Sequence, residues 1–225
     1  MSELPQAENH ISALDKRRER LLESGLNSRQ VNAELLLPRL VAIDWTDLAN
    51  SGDGFEPGRF LSEILDMGES ALLSRQRLQQ LAQGGLGSEP RLRIAPALPF
   101  VRGHRPVDPR LLEIRLKRFF EWTATSAFGQ LQPLLQLTLT QVRLFELLPW
   151  RELSAVLCFW FGVLPLLEAG YLLPAYTEGH LTRLRSALTH GFAFDTAPLV
   201  GLNLDAALRS YELASQLSQA QAPFD

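Results

Sequence analysis

Apolar residues recur at intervals of three and four along most of this chain, which is the spacing of one face of an α-helix. Glycine or proline separates one such stretch from the next. Helices are predicted over residues 11–24, from Ser28 through a kink at Pro38 to Leu48, from Pro57 to Leu81, from Asp108 to Trp122, and over residues 130–148, 150–169, 177–190 and 203–217. The pattern therefore predicts an all-α fold.

Residues 86–109 interrupt this helical pattern. Five prolines separate short apolar pieces there, at positions 90, 96, 99, 106 and 109. Because proline disfavours helix interiors, a short hairpin or an extended segment is predicted here and nowhere else. The same change of character predicts a boundary between an N-terminal helical extension, residues 1–85, and a helical domain, residues 86–225.

The most apolar stretch, residues 153–167, carries no charge, but Pro165 interrupts it. It is shorter than the roughly 20 residues that a membrane span needs, so a buried core helix is predicted. Cys158, the single cysteine, lies within it and is predicted to be an inert buried thiol. One cysteine cannot form a disulfide within the chain, and residues 1–9 lack the pattern of a secretory signal, so a cytoplasmic protein is expected.

The formal net charge of −3 gives no overall positive field that would hold the chain on nucleic acid or on an anionic membrane. Neither partner is therefore expected. One basic cluster occurs in the first predicted helix, comprising Lys16, Arg17, Arg18 and Arg20. Asp15 and Glu19 interrupt it, so a solvated helix face is the favoured interpretation. An unrelated helical interaction or DNA-associated module that uses this face remains an alternative.

Common catalytic motifs are missing from the sequence. The four histidines are far apart, which disfavours a zinc site. There is no phosphate-binding glycine loop, dinucleotide fingerprint or nucleophile elbow. Three carboxylates lie near the predicted core, at Glu146, Glu152 and Glu168, and solvated or helix-capping roles are favoured for them.

Three pieces of the chain resemble the Fic/Doc family. Residues 91–101, followed by Pro106 and Pro109, look like the flap of that family. Residues 131–136 and 141–150 look like the helix that leads into its catalytic loop, and residues 166–174 look like the end of the following helix. The resemblance implies a Fic-like helical domain in which a flap precedes the central helices. Family members usually transfer AMP or another phosphate-containing group to protein hydroxyls.

The defining loop of the family reads His-Pro-Phe-x-Asp/Glu-Gly-Asn-Gly-Arg, and the corresponding run here is residues 148–156. The positions of this degenerate loop that matter are Leu148, Pro149, Trp150, Glu152, Ser154 and Val156. Leu148 cannot accept a proton as the family's histidine does, and Val156 cannot pair with phosphate as its arginine does. Leu153 and Ala155 add side chains where the family's glycines let the backbone approach phosphate. Only Glu152 matches a functional position, that of the acidic metal ligand.

The resemblance with this altered loop predicts a catalytically inactive Fic-like protein that acts by protein binding or regulation, with a protein partner or as a homodimer. No catalytic residue, no metal site and no cofactor are expected. The alternative is a nucleotide-dependent transferase that uses ATP with magnesium at a divergent site. Under that alternative, flap residues would contact the ligand, and the candidates are Arg93, Phe100, Arg102, His104 and Arg105.

Overall fold

The computed structural model describes residues 4–45, 48, 55–67, 73–86, 91–151 and 153–221. Within these ranges the chain is helical with no β-strand, which confirms the predicted all-α fold. The helices are α1 (Leu4–Glu23), α2 (Ser28–Val31), α3 (Leu37–Val41), α4 (Pro57–Met67), α5 (Arg75–Leu86), α6 (Leu112–Thr123), α7 (Ser126–Gly129), α8 (Pro133–Leu147), α9 (Ser154–Phe161), α10 (Leu164–Glu168), α11 (Glu178–Phe192) and α12 (Ala197–Gln221).

Two turns of different pitch adjoin these helices. A π-helical turn, Asn32–Leu36, joins α2 to α3 immediately before Pro38, where the sequence predicts a kink. A 3₁₀ turn, Pro109–Leu111, leads into α6. The Asp108 carboxylate accepts a hydrogen bond from the backbone N–H of Arg110 and caps this turn, as the Asp-Pro pair predicts.

The predicted helix over residues 150–169 is wrong in its extent. The structure has α9 and α10 instead, with a break at Gly162 and Val163. At Gly162 an added Cβ would lie 2.8 Å from the Leu137 carbonyl oxygen, so the chain turns where it packs closely against α8. The residues between 153 and 166 are nevertheless almost all buried, as predicted for a core segment.

Two other predicted helices have different bounds. The single helix from Pro57 to Leu81 is wrong, because Leu73 and Ser74 are not helical and separate α5 from α4; residues 68–72 lie outside the described ranges. The last helix starts at Ala197 rather than at residue 203. Pro198 is the second residue of this helix, where its missing N–H breaks no hydrogen bond.

One hydrophobic core includes residues from both sides of the predicted boundary at residue 85. Leu14 of α1 and Phe60 of α4 belong to it, together with Phe145 of α8 and Trp160 of α9. α1 also packs along α12, where Arg17 pairs with Glu212 at 3.0 Å. The two predicted parts therefore pack as one body, and the division at residue 85 stays a prediction.

A buried polar network joins α8 to α12. The Asn203 amide nitrogen donates to Gln141 Oε1 at 2.8 Å and to Thr138 Oγ1 at 3.1 Å. The Tyr176 hydroxyl donates to Asn203 Oδ1 at 2.8 Å, and Gln141 Nε2 donates to the Phe159 carbonyl at 2.9 Å. Because each buried polar group has a partner, the network fixes the relative position of these helices.

Candidate functional site

The flap, residues 91–107, lies against the loop that connects α8 to α9. The Arg93 backbone N–H donates to the Pro149 carbonyl at 3.0 Å, and the Arg151 N–H donates to the Arg91 carbonyl at 3.2 Å. Leu92 and Trp150 thus form an antiparallel bridge. The predicted segment is therefore extended, and it pairs with the loop rather than folding into a hairpin on itself within the described residues.

Arg93 links the base of the flap, residues 91–93, to the end of α8 through hydrogen bonds. Its guanidinium is buried and donates to four backbone carbonyls: Leu148 through Nε at 2.8 Å, Ala95 through Nη1 at 3.1 Å, and Leu147 (3.0 Å) and Val107 through Nη2. Burial lowers the pKa of Arg93. Since two of these carbonyls lie at the carboxyl end of α8, the cation also satisfies acceptors that the helix leaves free.

The loop between α8 and α9 contains two leucines in the left-handed backbone conformation. Leu148 has φ 39° and Leu153 has φ 51°. This region favours glycine, because a Cβ there approaches the following carbonyl. Both leucine side chains are nevertheless buried, with 5% and 1% of their surface exposed, so packing offsets the strain of the backbone.

The remaining loop residues have structural contacts. Val156 is fully buried, and Pro149 and Trp150 are buried as well. Ser154 Oγ accepts a hydrogen bond from the Trp150 backbone N–H at 3.2 Å. Glu152 lies outside the described residues.

An open cleft of about 690 Å³ lies between the flap and this loop. Apolar groups form most of its wall, including Leu148, Trp150, Leu153 and Ala155 from the loop side. Phe159 and Trp160 do not fill it. They are packed into the core behind the loop, where Trp160 contacts Trp45 with ring centroids 5.4 Å apart.

The flap contributes both exposed and anchored side chains. Ile94 and Leu98 line the cleft and are 93% and 83% exposed, whereas Val101 is buried in the core. Phe100 also lines the cleft and packs on Phe145, with ring centroids 4.8 Å apart. The guanidinium of Arg185, from α11, lies 5.0 Å from the centroid of the Phe100 ring and adds a cation–π contact.

The other predicted flap contacts differ in position. Arg102 and Arg105 are exposed and are not part of the cleft wall. His104 stacks on Phe192 with ring centroids 3.8 Å apart, which turns it toward α11. Burial lowers the pKa of His104, and the nearby Glu146 carboxylate partly opposes this shift. The structure therefore brings Arg93 and Phe100 to the cleft and leaves the other three candidates outside its wall.

Two residues of the cleft wall lie outside the flap and the loop and were not predicted from the sequence. Arg185 comes from the predicted helix over residues 177–190, and Leu48 from the N-terminal part of the chain. Neither stands in a motif, and each reaches the cleft only through the packing of distant helices. No local signal in the sequence could have identified them.

Two of the four basic residues in the cluster of the first helix pack against other parts of the chain. Arg17 donates to the Leu208 carbonyl at 3.1 Å besides its ion pair with α12. Arg18 donates to the Ala169 carbonyl at 2.8 Å, and its guanidinium lies 4.8 Å from the Tyr171 ring centroid. These contacts give Arg17 and Arg18 structural roles.

Among the residues that the structure describes, no three histidine, cysteine or acidic side chains lie close enough to hold a metal ion. None of the described helices has the length and apolar character needed to cross a membrane. Cys158 is fully buried, its thiol donates to the Leu144 carbonyl at 3.2 Å, and burial raises its pKa.

Known proteins resemble the chain in fold alone. No protein-family model matches the sequence, and no curated protein matches it. Fic-1 (residues 134–508) from C. elegans superposes with a TM-score of 0.69 at 11% identity, covering 96% of this chain and 74% of that one. A Fic-domain-containing signaling protein from Bacteroides thetaiotaomicron gives 0.67 at 12% identity, covering 95% and 99%. The flap and the loop above thus belong to a fold shared with Fic-domain proteins.

Proposed function

We propose that this chain, which has the fold of Fic-domain proteins, binds a segment of a partner protein in the cleft beneath the flap and transfers no nucleotide. The observation that carries the proposal is the composition of the cleft wall. None of the described side chains that line it is an aspartate, glutamate, histidine, lysine or cysteine. The described part of the wall therefore offers no group with the basicity to deprotonate an attacking hydroxyl at neutral pH.

The loop positions that contact phosphate in Fic-domain proteins carry apolar residues in this chain. Under the resemblance, Leu148 corresponds to the catalytic histidine of the family and Val156 to its phosphate-pairing arginine. Leu153 and Ala155 present side chains to the cleft where bare backbone would approach phosphate. Arg93 is the cation at the base of the flap, and four of its five N–H groups already donate to carbonyl oxygens.

The same cleft suits apolar side chains. Ile94 and Leu98 stand almost fully in water at its rim, and Trp150 and Leu153 form its floor. Exposed apolar residues around an apolar concavity are typical of a protein-interaction site. A partner segment that inserts one or two apolar side chains would remove this surface from water.

One observation favours the nucleotide-dependent alternative. Arg151 and Arg185 also line the cleft and give its rim positive charge, which would attract phosphate as well as a carboxylate of a partner segment. Isothermal titration of the full chain with ATP and magnesium distinguishes an inactive binding protein from a nucleotide-dependent transferase. We expect no heat of binding at millimolar nucleotide and no labelled AMP transferred to the chain or to bait proteins. Clear binding or transfer would overturn the assignment as an inactive protein.

Partner binding calls for its own experiment. Peptides selected from a displayed library on the full chain should bind about tenfold more weakly to Ile94→Asp and Leu98→Asp, because a carboxylate replaces an apolar contact. Phe194→Asp is the matched control, since Phe194 is 90% exposed and lies outside the cleft wall. If the peptides bind both flap variants as well as the original chain, the cleft is not the binding site.

A further inference from the structure

A second surface, on α6 and the 3₁₀ turn before it, exposes apolar and positively charged side chains side by side. Leu111, Ile114, Arg115, Arg118 and Trp122 follow one another at helical spacing and form one stripe along the helix. Leu111 is 47% exposed and Ile114 is 49% exposed. The buried residues of this helix include Leu112, Leu116 and Phe119, and Trp122 packs partly against the core.

A groove runs beside this stripe, between α6 and α8. It encloses about 300 Å³ and is lined by Arg115, Arg118, Phe119, Trp122, Arg143, Glu146 and Leu147. Trp122 and Phe119 provide an aromatic floor, and the Trp122 ring is held in place by Phe128 at a centroid distance of 4.7 Å. The groove shares no lining residue with the cleft beneath the flap.

The charges on α6 are paired everywhere except along this stripe. Glu113 pairs with Arg75, and Lys117 approaches Glu121 at 3.7 Å. Arg115 and Arg118 make no ion pair or hydrogen bond with any residue in the part of the chain that the structure describes.

The groove therefore carries a positive surplus. Three arginines, Arg115, Arg118 and Arg143, face a single carboxylate, Glu146, so the groove has two more positive than negative side chains. The whole chain has a net charge of −3, so this surface stands out from the rest of the molecule.

We propose that this stripe and groove bind an acidic amphipathic helix of a partner protein. Apolar side chains of that helix would cover Leu111, Ile114 and the edge of Trp122, and its carboxylates would pair with Arg115 and Arg118. A second copy of the chain fits less well, because a two-fold contact would place these arginines against one another. The proposal concerns a different surface from the cleft and does not depend on the inactivity of the protein.

Two synthetic amphipathic peptides with the same apolar pattern test the proposal, one with glutamates and the other with lysines beside the apolar face. Binding to the full chain is measured by fluorescence anisotropy. The glutamate peptide should bind about tenfold more tightly than the lysine peptide and should weaken as salt is raised. Arg118→Glu should weaken it about tenfold, whereas Lys117→Glu, a charge reversal at a neighbouring residue that does not line the groove, should change it less than about twofold.

Circular dichroism of each variant shows whether it folds, and sedimentation of the unliganded chain reports self-association. Equal binding of the two peptides, no binding of either, or equal effects of Arg118→Glu and Lys117→Glu would overturn the proposal. A dimer that Ile114→Asp dissociates would also overturn it, because a second copy would then be the occupant of this surface.

Discussion

Exchanging Leu153 for alanine or for glycine separates two contributions to stability: the burial of its side chain and the strain of its left-handed backbone. Its side chain is 1% exposed, so truncation to alanine should cost about 2–5 kcal/mol in the free energy of unfolding. Its φ of 51° should cost about 1–2 kcal/mol for any residue with a Cβ. Glycine removes the same side chain and relieves this backbone strain.

Leu153→Gly should therefore be more stable than Leu153→Ala, by about 1 kcal/mol after the greater chain entropy of unfolded glycine is included. The matched control is Ala155→Gly, two residues further along in α9, where the backbone is right-handed. In a right-handed helix glycine is less favourable than alanine, so the Ala155→Gly variant should be less stable than the original chain by about 0.5–1 kcal/mol.

Urea unfolding followed by circular dichroism gives the free energy of each variant and its slope with denaturant. Glycine should be more stable than alanine at position 153 and less stable than alanine at position 155. The slope of the free energy with urea concentration should be the same for all variants. If Leu153→Ala is as stable as Leu153→Gly, the left-handed conformation carries no strain in this loop. Leu148, with φ 39°, offers a repeat of the comparison at the other end of the loop.

Four further outcomes are expected. Asn203→Ala should lower the free energy of unfolding by about 2–3 kcal/mol in urea titrations, because it leaves the buried Tyr176 hydroxyl unpaired. Asn203→Asp keeps the acceptor for Tyr176 but places a carboxylate oxygen against Gln141 Oε1, so it should not restore the stability. Burial lowers the pKa of His180, so the folded state binds fewer protons than the unfolded state and stability should fall as pH drops below about 6.5. His180→Gln should flatten that dependence in thermal melts at a series of pH values. Cys158 should resist alkylation in native protein and react once urea unfolds it, as mass spectrometry would detect. Arg93→Met should speed hydrogen exchange in the flap and at the end of α8, and unchanged exchange would contradict its role there.

The helical fold could be predicted from the sequence because its signals are local. Asp108 and Pro109 predict where a helix starts, and the structure has the carboxylate cap there. The break at Gly162 could not be predicted, because it depends on the approach of the Leu137 carbonyl from another helix. Local patterns cannot encode such a contact, so the predicted helix ran through it.

The candidate site could be predicted in part for the same reason. The resemblance directed attention to the flap and to the loop that starts at Leu148, and the cleft lies between them. The role of Arg93 could not be predicted, since two of its acceptors, Leu147 and Leu148, are more than fifty residues away along the chain. An arginine between prolines resembles a ligand contact until its acceptors are known.

The four carbonyl contacts of Arg93 have a consequence for the thermodynamics of complex formation. They fix the base of the flap before any ligand arrives, and Phe100 packs on Phe145 at its other end, so the tip between these two anchors, which carries Leu98, is short. Ordering a short tip costs less conformational entropy than ordering a whole loop. A modest number of apolar contacts at Ile94 and Leu98 can then suffice for measurable affinity.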